Sequence, residues 1–360
     1  MSSPRTIRFG CLLGLLLLSL LEPRVAAAQV SWVLNSSLPG LNAQWVWAAS
    51  PTDVFASGGI ATVDQFNGAS WTQMSLPPGT NRYGIFGTAA NNIYSAGQYG
   101  YQTGALFHYD GTSWTTAFTT DETELTDAWA DDAGDAFATG DGRFFINHGA
   151  GWFEVATGLS HAFNTDRLSG IWGTDYDNVY AVGYGGLIAH WDGLTLTYSQ
   201  PFGNAFALSD IFGFSADDIY ATGTNGTLLH FDGSTWSKID VPTTGNLFGI
   251  YGFSPDDLYV VGDGGIMFRY DGVAWTLIPT PTTRDLFDMW GAQQAGEDFL
   301  VIAAANAGGS GTILEGSFAA QGAVVTPEPT PVVLLATGMM VLLLLPRSLG
   351  APRGSGSSPA

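Results

Sequence analysis

The sequence predicts an all-β protein, a seven-bladed β-propeller of four-stranded blades. Three observations predict it. A unit of 39 to 43 residues recurs along most of the chain. Its apolar runs are short, aromatic and cut by Gly or Asp-Gly. One end of the chain carries a strand without a blade, and the other a blade without its last strand. A period of this length with four short strands per unit is the mark of a propeller blade. Helical repeats of similar length would need long runs with apolar residues every three or four positions.

Each element follows the same plan. The first strand centres on an aromatic that lines up seven times: Trp47, Phe86, Trp129, Trp172, Phe212, Tyr251 and Trp290. The second strand carries Phe55, Tyr94, Phe137, Tyr180, Tyr220 and Tyr259. It closes on Gly58, Gly97, Gly140, Gly183, Gly223 and Gly262, with Ala303 expected there in the seventh unit. The third strand ends at Gly68, Gly111, Gly149, Gly193, Gly233 and Gly272, and the fourth opens on Trp71, Trp114, Trp152, Leu196, Trp236 and Trp275. Alternate strand residues face opposite sides. A blade is covered on both faces by its neighbours, so both sets are apolar. The seventh unit reaches Ile313-Leu314-Glu315-Gly316 and has no Trp. The Trp32 strand is therefore expected to complete the seventh blade, which removes an open sheet edge.

The two ends read as addresses. Residues 1–28 have a basic start (Arg5, Arg8), an apolar run from Cys11 to Leu21 and small residues Ala26 to Ala28 before Gln29, the pattern of a cleaved secretory signal. The only cysteine, Cys11, lies inside it, so the propeller, 29–325, depends on no disulfide. At the other end, Pro327-Glu328-Pro329 precedes an apolar run from Val332 to Leu345 and the basic residues Arg347 and Arg353. A tail, 354–360, follows. Residues 326–353 resemble the PEP-CTERM sorting signal of Gram-negative bacteria. The resemblance implies processing by an exosortase-type protease, with signal peptidase acting at the other end. It also implies a cell-envelope or extracellular location, with the C-terminal segment as a membrane helix.

Charge narrows the function. Only 12% of residues are charged, and between the two signals about 30 acids face six bases. Such an acidic surface excludes nucleic acid as a partner. The pairs Asn91-Asn92, Asp131-Asp132, Asp177-Asn178, Asp217-Asp218 and Asp256-Asp257 recur once per blade. They are expected to cap turns rather than to converge on a metal. His108, His190 and His230 hold one position in three different blades and read as half-buried strand residues; His148 and His161 are isolated. No metalloprotease, nucleophile-elbow, phosphate-loop or paired-cysteine motif is present. No cofactor or metal is expected.

Turns after the second and fourth strands share one face, and these are the variable ones. Arg82, Arg167 and Arg284 each fall at or just before the start of an inner strand on that face. They form a candidate anion site, for an acidic sugar for example; pairing with acids such as Asp166 and Asp285 is the plainer reading. The unit from Leu168 to Asp192, and again from Leu247 to Trp275, resembles propeller repeats of exported bacterial proteins. That resemblance implies the fold and no particular activity. The expected function is a non-catalytic binding or scaffold module for an extracellular polysaccharide or a surface protein. The alternative is a carbohydrate-active enzyme, a glycosidase or lyase, using channel carboxylates. The inner-strand departures that could mark one are Ala43, Arg82, Asp127 and Ala128.

Overall fold

The computed structural model describes residues 31–35, 43–58, 62–77, 81–99, 103–121, 124–159, 166–294, 297–305 and 311–319. Both terminal signals, with Ala26, Ala28 and the Pro327-Glu328-Pro329 motif, lie outside them. Among the described residues no helix is long and apolar enough to cross a membrane; Val332 to Leu345 falls outside that set.

The described strands form seven four-stranded antiparallel sheets. Six are sequential: blade 1 runs from Trp45 to Met74, blade 2 from Asn81 to Asp121, blade 3 from Leu125 to Val155, blade 4 from Leu168 to Ser199, blade 5 from Leu208 to Asp240 and blade 6 from Leu247 to Leu277. Blade 7 takes three strands from the chain end, Asp285–Gln294, Glu297–Ala305 and Thr312–Ala319. Its fourth is the N-terminal Ser31–Asn35. Trp32 pairs with Gly316, the place that Trp71 takes against Phe66 and Trp275 against Tyr270. It is thus the Trp the seventh unit lacks. Its indole donates to the Pro279 carbonyl at 2.9 Å. One expectation is corrected by a residue. The position filled by Gly140 and Gly262 in other blades falls on Ala304, opposite Leu286, while Ala303 lies opposite Asp288.

Between blades lie apolar layers. One example packs Trp129, Phe137 and Phe144 of blade 3 against Leu168, Ile171 and Val179 of blade 4. Burying each such ring contributes on the order of 1.5–3 kcal/mol. The inner aromatics lie across the neighbouring blade. A Cβ on Gly213 would stand 2.6 Å from the Trp172 ring, and one on Gly291 2.3 Å from Tyr251. The Gly that follows five of the seven inner aromatics is therefore a space requirement, and Trp47 and Trp129 are followed by the next smallest residue, Ala48 and Ala130.

The Asp-rich face explains itself in the same way. Asp110, Asp192, Asp232 and Asp271 each accept two backbone N–H groups two and three residues on, at 2.6–3.0 Å. The Gly that follows has φ of 83° to 89°, and a Cβ on it would press on the first member of the pair in the other turn: Gly193 on Asp177, Gly233 on Asp217. The second member of four of the five pairs meets strand three, and in blade 3 Asp135, in place of Asp132, meets His148 just after that strand. His108 bonds to Asn92 at 2.8 Å, His190 to Asn178 at 3.0 Å and His230 to Asp218 at 2.8 Å. Each ring also lies against its blade's Tyr94, Tyr180 or Tyr220, with centroids 4.1–4.7 Å apart. Burial holds His108 and His190 below the usual histidine pKa. Blade 6 uses Arg269 for the same job, with Asp257 at 2.7 Å. His148 is not isolated: it reaches Asp135 at 2.6 Å.

Candidate functional site

Seven inner strands leave a central cavity of about 630 Å³. Its wall is set by an irregularity that recurs where the inner strand enters. Register shifts occur between Leu125 and Asp127, Leu168 and Gly170, Leu208 and Asp210, Leu247 and Gly249, and Leu286 and Asp288. A bulge re-aims the extra residue. The residues so freed, Thr126, Ser169, Ser209, Phe248 and Phe287, all line the cavity. Blade 2 contributes Tyr83 from its own shift.

The mouth is aromatic. Phe248 stacks on Phe287 at 5.3 Å, and Trp45 meets Tyr83 edge-on at 5.5 Å. Tyr184, from the turn after the second strand of blade 4, adds a partly exposed ring. Arg167 stands at the lip, 3.3 Å from Glu124 and 3.8 Å from Asp141, with its guanidinium 5.7 Å from the Tyr83 ring centre. Deeper in, Phe86, Trp129, Trp172, Phe212 and Trp290 form the floor.

Besides Glu124 at the lip, three aspartates line the wall, and sequence reading singled out only Asp127. The position two before the inner aromatic reads Trp45, Gly84, Asp127, Gly170, Asp210, Gly249 and Asp288. Each Asp accepts from the next N–H of its own strand and from an N–H one blade on. Asp127 binds Ala128 at 2.9 Å and Ile171 at 3.1 Å. Asp210 binds Ile211 at 2.7 Å and Ile250 at 2.9 Å. Asp288 binds Met289 at 2.7 Å and Val46 at 2.9 Å. They rivet blade 3 to 4, 5 to 6 and 7 to 1. The glycines make room: a Cβ on Gly249 would lie 3.0 Å from the Asp288 Cα. Burial pushes the Asp210 carboxyl up to about 7. Burial, and then repulsion from Asp210, raises Asp127 and Asp288 well above the usual range.

Arg167 lines the cavity. Arg82, the second residue of the inner strand of blade 2, lies opposite Gly97, at the position where most other blades bury a Leu. Arg284 precedes the inner strand of blade 7, and its N–H bonds to Thr282 at 3.1 Å. Arg167 and Arg284 thus directly precede their inner strands, Arg82 is the second residue of its own, and Arg167 lines the cavity.

No family model matches the chain, and no curated protein matches it. Solved structures do. YCF48 bound to D1 peptide superposes with a TM-score of 0.60 at 13% identity, covering 79% of this chain and 96% of that one. YCF48 from Cyanidioschyzon merolae gives 0.58 at 14%, covering 80% and 98%. The WD40 β-propeller domain of Doa1 gives 0.62 at 10%, covering 80% and 97%. At these identities the likeness is one of fold. The chain is a seven-bladed β-propeller.

Proposed function

We propose that this chain is an exported, envelope-attached propeller that seats a peptide segment of a protein partner in the mouth of its channel, without catalysis. The observation that carries the reading is the 630 Å³ cavity with bulge-aimed aromatic rings at its rim. Concave, mostly apolar sites with a few polar groups are where ligands bind, and loops on a rigid frame are where binding resides. Arg167 would meet the ligand at the lip, with Arg82 and Arg284 on the same side. The printed description of one structural neighbour, a YCF48 bound to a peptide, is a parallel for such use of the fold. The enzymatic alternative needs a carboxylate available to substrate or water. Asp127, Asp210 and Asp288 instead have both oxygens engaged by backbone N–H groups, and Glu124, the fourth acid of the cavity, is paired with Arg167. Export rests on residues 1–28, with Ala26 and Ala28 at the cleavage site. Retention at a membrane rests on residues 326–353 and the Pro327-Glu328-Pro329 motif, acted on by an exosortase-type protease.

The test is to present the purified protein to arrayed peptides and arrayed glycans and to assay each for product. Retention of peptides, lost in Tyr184→Ala, supports the reading. Retention of a polysaccharide class alone would replace peptide by sugar, and any turnover would overturn the non-catalytic assignment.

A further inference from the structure

We infer that Asp298 carries a proton that it donates to Asp257, and that this bond latches blade 6 to the closing blade. Asp257 opens the second strand of blade 6, and Asp298 lies near the start of the second strand of blade 7. Each is 1% exposed. Asp257 Oδ1 accepts from Arg269 Nε at 2.7 Å, and Asp298 Oδ1 accepts from Gln293 Nε2 at 3.0 Å. The other oxygen of each is buried without a donor, and the two carboxylates face one another. The other groups turned toward them are Tyr259 beneath Arg269, Tyr251 from the inner strand of blade 6, and Asp271 beyond Arg269 at the turn. The pocket therefore holds two carboxylates against one guanidinium. A buried surplus charge is not tolerated and is removed by a proton. A proton between the two orphaned oxygens supplies the missing donor and neutralises the surplus together.

Burial above all raises the Asp298 pKa; the facing Asp257 carboxylate adds to it, while the Gln293 amide and Arg269 oppose it. An acid whose folded pKa is raised contributes stability that is complete below its unfolded value, 3.8, and lost as pH rises through the folded one. The joint between blades 6 and 7 is thus firmest in acid and loses this contribution as pH climbs from 3.8 to the folded pKa.

Asp298→Asn reproduces the protonated form, since its amide can donate to Asp257 and its oxygen can still accept from Gln293. The experiment measures unfolding of the full chain and of this variant from pH 3 to 9. The wild type should lose ground to the variant as pH rises above 3.8, by up to about tenfold in the unfolding constant per pH unit until the folded carboxyl has released its proton, and the gap should then stay constant. Parallel curves would overturn the proposal, as would failure of the variant to fold at any pH. A wild-type stability that responds to chelator at fixed pH would assign the site to a metal cation and overturn it as well.

Discussion

At the scale of the residue, the channel acids separate scaffolding from chemistry. Asp210 is pushed up to about 7, chiefly by burial. By the same linkage its contribution is complete below pH 3.8 and lost as pH rises toward about 7. Asparagine cannot titrate, but it offers one acceptor to the two N–H groups of Ile211 and Ile250. Leaving one unsatisfied costs about 1–3 kcal/mol. Asp210→Asn should therefore be less stable than wild type by about that amount at pH 5, with the gap narrowing toward pH 8. Denaturant unfolding at both pH values checks it, and a constant gap would refute the titration. Gly213 makes the complementary point. A valine there drives its Cβ into the Trp172 ring, 2.6 Å away. Overpacking of this kind costs about 1–3 kcal/mol or more, so Gly213→Val should lower the melting temperature while a Gly→Ala change at Gly134, where a Cβ meets nothing within 4 Å, costs less. Gly134 has φ of 95°, so some backbone strain remains there.

At the scale of the element, the repeat was legible because blade packing writes it into every unit. The inner aromatic and its following Gly, the Asp-Gly turn and the fourth-strand Trp are each required by a neighbour. Trp32 was legible for the same reason, as a fourth-strand Trp without a blade. The channel wall was not. The position that alternates Gly and Asp round the ring has no consensus residue, and an alternation of two cannot close on seven places. Trp45 takes the remaining one. The bulges also hide their residues, because one extra residue moves a side chain to the other side of the strand. The alternating pattern would exclude Phe248 and Phe287 from any binding list, yet they line the cavity. Ala303 was misplaced by one because blade 7 lacks the Gly that marks the strand end elsewhere. Ring closure carries its own prediction. Trp32 packs on Gly316, where a Cβ would be 2.6 Å from its ring, and bonds to Pro279. Trp32→Ala should cost about 3 kcal/mol and open blade 7 first. Hydrogen exchange should show Thr312–Ala319 losing protection before the strands of blade 4; uniform loss would contradict this order.

At the scale of the whole molecule, the two faces are built differently. One is committed to turns whose acids accept backbone N–H groups. The other gathers strand-start aromatics, Arg167 and the longer connections around one opening. A net charge of −21 sets the expectation for what approaches it, since complementary charge steers association and is screened by salt. Binding at the mouth should strengthen for basic peptides at low ionic strength. The most direct measurement takes a peptide retained on the array and titrates it into three proteins: wild type, Tyr184→Ala at the mouth, and Leu194→Ser, an 82% exposed residue on the Asp-turn face. The account expects at least about a tenfold loss of affinity for the first variant, the size of a modest hot spot, and none for the second. Unchanged binding by Tyr184→Ala together with loss in Leu194→Ser would place the ligand on the wrong face and contradict it.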